Sequence, residues 1–109
     1  MKNTIKNQNQ ILDKEKVLEV IKIQKNLFEK YQIKTFALFG STARNQATEN
    51  SDLDFLVDFD KSPTLSMYMN LKFYLEELFN KPVDLVTIKS IKPIIKESIL
   101  AEAVYVENP

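Results

Sequence analysis

A chain of 109 residues with 44% hydrophobic and 28% charged residues has the length and balance of one ordinary domain built on a single core. Its fifteen basic and fifteen acidic residues cancel, so no broad electrostatic footprint for nucleic acid is indicated. It has neither cysteine nor histidine. That excludes disulfide scaffolds, thiol catalysis, Ser-His-Asp catalysis and thiolate- or imidazole-bound zinc, and leaves oxygen ligands suited to Mg²⁺, Mn²⁺ or Ca²⁺.

Residues 1–10 are rich in Asn, Gln and Lys, and 1–12 is expected to be a flexible tail ahead of one domain over 13–109. The helical spacing of Val17, Val20, Ile21, Leu27, Phe28 and Tyr31 predicts a helix over 13–31. Asp13 is its expected N-cap, and Gln24 is the polar exception on its apolar face. The nearly continuous apolar run in 33–39 predicts a buried strand ending at Gly40. Residues 41–51 are small and polar and read as one helical turn followed by a loop. Residues 52–59 read as a strand, with Leu53, Phe55, Val57 and Phe59 on one face and Asp52, Asp54, Leu56 and Asp58 on the other. A helix over 64–79 and a strand over 83–88 follow. Ser90 is expected to cap a last helix with Pro93 in its first turn and Ile91, Ile94, Ile95 and Ser98 as its inner stripe. A short strand over 103–106 completes an α/β (α+β) order, a small sheet covered by helices. No apolar run approaches the roughly 18 residues of a membrane span. The polar N-terminus lacks a signal peptide's apolar centre, so the expected location is cytoplasmic.

The chemistry concentrates in 38–58, which holds the only glycine, Gly40, and the only arginine, Arg44. Asp52 and Asp54 stand two residues, about 6.6 Å, apart on one strand face. Two carboxylates held that close repel unless a cation lies between them or one is protonated. An Asp-x-Asp pair can bridge the ions of a two-metal phosphoryl-transfer site. Asp84, on the next strand, reaches the same volume if the two strands are neighbours. It would then complete the metal shell and accept or orient the proton of an attacking hydroxyl. Gly40 permits positive φ and close approach of a phosphate. The N–H groups and hydroxyl that begin at Ser41 suit an anion, though Ser41 also reads as a simple N-cap. Arg44 reads either as a phosphate clamp or as a surface residue paired with Glu49. Asp58 and Asp60 read as solvated strand-end acids.

Gly40-Ser41, ten further residues and Asp52-Leu53-Asp54 resemble the Gly-Ser-x10-Asp-x-Asp signature of the nucleotidyltransferase superfamily related to DNA polymerase beta. The fuller strings 39–44, 51–57 and 99–106 resemble its smallest members, the minimal nucleotidyltransferases. The resemblance implies a single palm-like domain with a small mixed sheet. It implies Gly40 and Ser41, with Arg44, at the nucleotide. It also implies Asp52, Asp54 and Asp84 as catalytic residues and ligands of Mg²⁺ (two ions expected, Mn²⁺ as a substitute), and ATP as substrate. Many members of that branch are encoded beside a HEPN-domain partner and act as antitoxins, some read as transferring AMP from ATP to a tyrosine of that partner. The resemblance thus implies a protein adenylyltransferase in a type VII toxin-antitoxin system and a hetero-oligomer with the toxin, without direct nucleic-acid or membrane binding. The alternative is a binding module that neutralises the toxin by complex formation alone.

Overall fold

A computed structural model describes residues 11–107. The elements are α1 (Lys14–Lys22), α2 (Leu27–Lys30), β1 (Ile33–Phe39), α3 (Gly40–Ala43), β2 (Leu53–Phe59), α4 (Leu65–Phe79), β3 (Val83–Thr87), a 3-10 turn (Ile88–Ser90), α5 (Pro93–Glu102) and β4 (Val104–Val106). The sheet order is β3-β2-β1-β4. β1 is antiparallel to β2 and β4, whereas β2 and β3 run parallel. The sheet is therefore mixed and flanked by helices, as expected. Among the described residues no helix is long and apolar enough to cross a membrane.

Side-chain alternation divides the core. Leu53, Phe55, Val57 and Phe59 of β2 join Phe36 and Leu38 of β1 under α1, α2 and α4. Phe36 stacks on Phe55 with ring centroids 5.0 Å apart. A second, smaller cluster on the opposite face holds Ala37, Leu56 and Ile91, with Ile99, Leu100 and Ala103 of α5 packed against it. The carboxylate side of β2 is this second face. β1 keeps both Ile33 and Phe36 in the larger core because its register with β2 slips between Ile33 and Thr35; a bulge restores the parity that an odd spacing would break. Leu12, ahead of the first helix, is 1% exposed and belongs to the larger core. Residues 1–10 of the expected tail lie outside the described residues.

Four expectations about these elements are corrected. The helix foreseen over 13–31 is two helices. Asp13 does cap α1, accepting from the Lys16 N–H at 2.8 Å. The break follows at Gln24, whose amide donates back to the Val20 carbonyl at 2.9 Å, and at Asn26, which takes the left-handed conformation at φ 60°. The strand foreseen over 83–88 stops at Thr87, and Ser90 does not cap α5. Its hydroxyl donates to the Thr87 carbonyl at 2.8 Å inside the 3-10 turn, and α5 starts at Pro93 after Lys92. The inner stripe of α5 is rotated by about one residue. Ile99, Leu100 and Ala103 face the sheet, while Ile94 is 89% exposed and Ile95 48%.

Candidate active site

The chain leaves β1 at Phe39 and turns at once into α3, with Phe39 as N-cap and Gly40 as first residue at φ +74°. Side chains are strained at that φ, and the surroundings add a second constraint. A Cβ on Gly40 would stand 2.2 Å from Oδ2 and 2.9 Å from Cγ of Asp54. Register explains the closeness: Phe39 pairs with Asp54 across the antiparallel ladder, which sets the Asp54 carboxylate against the next α-carbon. The room left by the missing side chain is therefore taken by a carboxylate of the site itself.

Ser41 lies inside the turn, so it is not the cap. Its partly exposed hydroxyl has no hydrogen-bond partner among the described residues. Thr42 beside it is buried. The turn is closed by the Gln46 N–H donating to the Ser41 carbonyl at 2.8 Å and the Arg44 N–H to that of Gly40 at 3.2 Å. It is tied to the start of α1 by the Lys14 N–H, which donates to Asn45 Oδ1 at 3.1 Å.

Asp54 and Asp84 are direct partners in the parallel β2–β3 ladder. Their side chains leave the sheet on one face, while Val83 and Leu85 are buried on the other. Asp52 lies just before β2 and is exposed, as is Asp84; Asp54 is half-buried. Asp54 senses the other two carboxylates. Burial first, then the charges of Asp84 and Asp52, push the Asp54 carboxyl from 3.8 up to about 6. Arg44 pulls it down and Glu102 adds a further upward push. Asp58 shares the face but lies two ladder pairs past Leu56, beside Thr35.

The donor set fits a hard divalent ion: all oxygen, with anionic groups whose crowding a cation would relieve. Among the described residues no three acidic side chains close into a ready cage. Mg²⁺ does not need one, since it is usually held by one or two carboxylates together with substrate phosphates and water. A proton on Asp54 competes with the ion. The sign is fixed by the raised value: the proton stays on as pH falls through about 6. Binding of Mn²⁺, followed by EPR between pH 5 and 7.5, is expected to be level above pH 7 and to weaken about tenfold per unit below 6. An ordinary carboxylate would hold affinity level down to about pH 4, and that outcome would refute the crowding.

Arg44 is not paired with Glu49. Its Nη1 donates to both carboxylate oxygens of Glu102, each at 3.1 Å, and its Nε donates to Gln46 Oε1 at 3.1 Å. The guanidinium thus joins the end of α3 to the end of α5 while lying close enough to lower the Asp54 titration. Glu102 was not singled out from sequence. The available signal was that a lone arginine beside a carboxylate site needs an acidic partner, but nothing local says which of the acids it is.

The sequence matches the family described as "Nucleotidyltransferase domain" over residues 12–106. It is 47% identical over 88 residues to a protein of Methanocaldococcus jannaschii named as a candidate protein adenylyltransferase, covering 78% of this chain and 88% of that one. It is 42% identical over 83 residues to protein adenylyltransferase MntA of Thermococcus cleftensis, covering 76% and 84%. A solved structure described as a candidate minimal nucleotidyltransferase superposes with a TM-score of 0.69 at 35% identity, over 80% of this chain and 93% of its own. The same fold is found in two more distant structures, each 20% identical. One is a toxin-antitoxin with AMP-PNP (TM-score 0.65, covering 77% and 69%). The other is a tri-AMPylated Shewanella oneidensis HEPN toxin in complex with MNT antitoxin (TM-score 0.61, covering 87% and 73%).

Proposed function

The chain belongs to the nucleotidyltransferase domain family, in its minimal branch, and is a nucleotidyltransferase; from that premise we propose that it transfers AMP from Mg-ATP to a tyrosine hydroxyl of a HEPN-domain toxin, as the cytoplasmic antitoxin of a type VII toxin-antitoxin pair. The observation that carries the reading is the pairing of Asp54 with Asp84, with Gly40 packed on Asp54. Toxin masking alone has no use for such a cluster of mutually repelling carboxylates. The protein-adenylyltransferase names of the relatives support a protein acceptor, and the AMP-PNP and AMPylated-toxin complexes that share the fold support ATP and a HEPN partner.

In this reading Asp54 and Asp84, with Asp52, would hold Mg²⁺, which when bound would offset the triphosphate charge and polarise the α-phosphate. Gly40 lets the chain turn tightly enough to bring Ser41 to the same edge as the carboxylates. The Ser41 hydroxyl donates to a phosphate oxygen, and the N–H groups of the α3 turn add to it. Arg44, held by Glu102, contributes positive charge at the rim. The exposed carboxylate of Asp84 accepts the proton of the attacking hydroxyl. The deprotonated hydroxyl oxygen of the acceptor joins the α-phosphorus as the bond to the bridging oxygen breaks and pyrophosphate departs. Positioning and charge neutralisation supply the acceleration.

The test is incubation of the protein with its HEPN partner and ATP labelled at the α- or the γ-phosphate. Label from the α position alone is expected on the partner, on tyrosine by peptide mapping. Growth rescue by the protein without any transfer of label would replace catalysis with neutralisation by complex formation.

A further inference from the structure

We propose that Lys81 is a positioning residue that sets Asp52 opposite Asp84, an inference that rests on reading these carboxylates as a metal site. Lys81 connects α4 to β3 and is 6% exposed, an unusual place for a lysine. Its Nζ donates to the backbone carbonyl of Glu49 at 2.9 Å. Among the described residues no carboxylate pairs with it. A lysine sunk this far into the fold and bonded to a neutral carbonyl calls for a reason.

What the bond joins supplies the reason. Glu49 stands three residues before Asp52, and Lys81 three residues before Asp84. The two ends of the contact are thus the two loops that deliver the outer carboxylates. The turn carrying Glu49 is a stiff unit: the Thr48 N–H donates to Ser51 Oγ at 2.8 Å and the Ser51 N–H to the Thr48 carbonyl at 3.0 Å. The loop carrying Lys81 is stiff as well. Its Pro82 carbonyl accepts from the Leu53 N–H at 3.1 Å, and the Val83 N–H donates to Glu76 Oε2 at 3.0 Å. Asp54 and Asp84 are aligned by the β2–β3 ladder. Asp52 lies just outside that ladder, held on its far side by the Leu53–Pro82 bond, and the Lys81 bond is a second tie that fastens the turn ahead of it to the β3 side. Without it Asp52 keeps its chemistry but loses its place.

Mn²⁺ binding followed by EPR in the presence of α,β-methylene-ATP separates this inference from the reading beneath it. Binding by the wild type and its loss in Asp54→Asn are expected; equal binding by both would remove the metal site and the inference with it. Lys81→Met keeps the length and apolar stem and drops the donor. It is expected to fold, to melt within a few degrees of the wild type and to bind Mn²⁺ about tenfold more weakly, as for loss of an outer-shell support. Lys81→Arg, which keeps a donor, is expected to recover most of the affinity. Lys81→Gln, too short to span to Glu49, carries the same expectation as Met and serves if the Met variant does not fold. Wild-type affinity in a folded Met or Gln variant overturns the role of Lys81 while leaving the metal site intact. Loss of folding in both variants also overturns it, by making Lys81 a stability residue.

Discussion

Asp54→Asn is expected to lower nucleotidyl transfer by on the order of 10³-fold or more while the protein stays folded. Asp54 is the point at which every other part of the site meets. It is the ladder partner of Asp84 and of Phe39, it packs on Gly40, and its titration responds to Asp52, Arg44 and Glu102. Asparagine has nearly the same shape, so the contact with Gly40 survives. What is lost is the charge that would hold a cation between β2 and β3. The same loss relieves repulsion. With its carboxyl pushed up to about 6, ionised Asp54 weakens the metal-free fold as pH rises from about 4 through 6, the interval in which the folded chain binds the proton and the unfolded chain does not. The variant is therefore expected to melt at or slightly above the wild-type temperature at pH 7.5. Asp58→Asn, on the same face but farther along β2, is the control and should transfer AMP normally. Label transfer and thermal melting measured together decide the matter. Activity within tenfold of the wild type in folded Asp54→Asn would remove Asp54 from the reaction.

Where local pattern and tertiary structure agree, the chain could be read directly. β2 was legible because its side chains alternate, with Leu56 the one apolar member of the carboxylate face, and both faces have a use: Phe55 and Val57 fill the larger core, and Asp54 meets Asp84 on the other side. α4 was legible for the same reason, with Thr64 capping it and Leu71, Leu75, Leu78 and Phe79 on one stripe. The failures share a different cause. A stripe of Val17, Val20, Ile21, Leu27 and Phe28 fits one long helix as well as two short ones. The polar member of the stripe, Gln24, carried the information because its amide satisfies the Val20 carbonyl where the helix ends. α5 was misphased because its apolar residues are interleaved with Lys96, Glu97, Ser98 and Glu102 and mark no single stripe. Which stripe turns inward is decided by a second core that offers only Ala37, Leu56 and Ile91. At the site, the Gly-Ser and Asp-x-Asp residues stand close in sequence and announced themselves. Glu102 lies 58 residues from Arg44 and Lys81 lies 32 residues from Glu49; nothing local marks either one. Even Gly40 was found for an incomplete reason, since the atoms nearest its missing side chain belong to Asp54.

That last difference leads to the second large effect. Gly40→Ala is expected to destabilise the protein by about 2–4 kcal/mol and to lower transfer by about 10²-fold or more beyond what unfolding explains. Two separate penalties enter. An alanine at φ +74° carries backbone strain of about 1–2 kcal/mol wherever it stands. Its Cβ would also lie 2.2 Å from Asp54 Oδ2, so the carboxylate must swing away from Asp84, and the site loses its alignment even in molecules that remain folded. A double-mutant cycle separates the two terms. In an Asp54→Ala background the Oδ2 and Cγ atoms are gone and the nearest remaining atom is the Asp54 Cβ at 3.2 Å. There Gly40→Ala should cost little more than the backbone strain. If glycine is required at this position only so that a phosphate can approach, the penalty in the nucleotide-free protein will be the same in both backgrounds. If it is required because the metal-binding carboxylate rests on it, the penalty will shrink by about 1 kcal/mol or more when Asp54 is cut back. Chemical denaturation of the four proteins without nucleotide distinguishes these outcomes. Equal penalties would show that the contact between Gly40 and Asp54 has no energetic weight and that Gly40 does not set the position of the carboxylate.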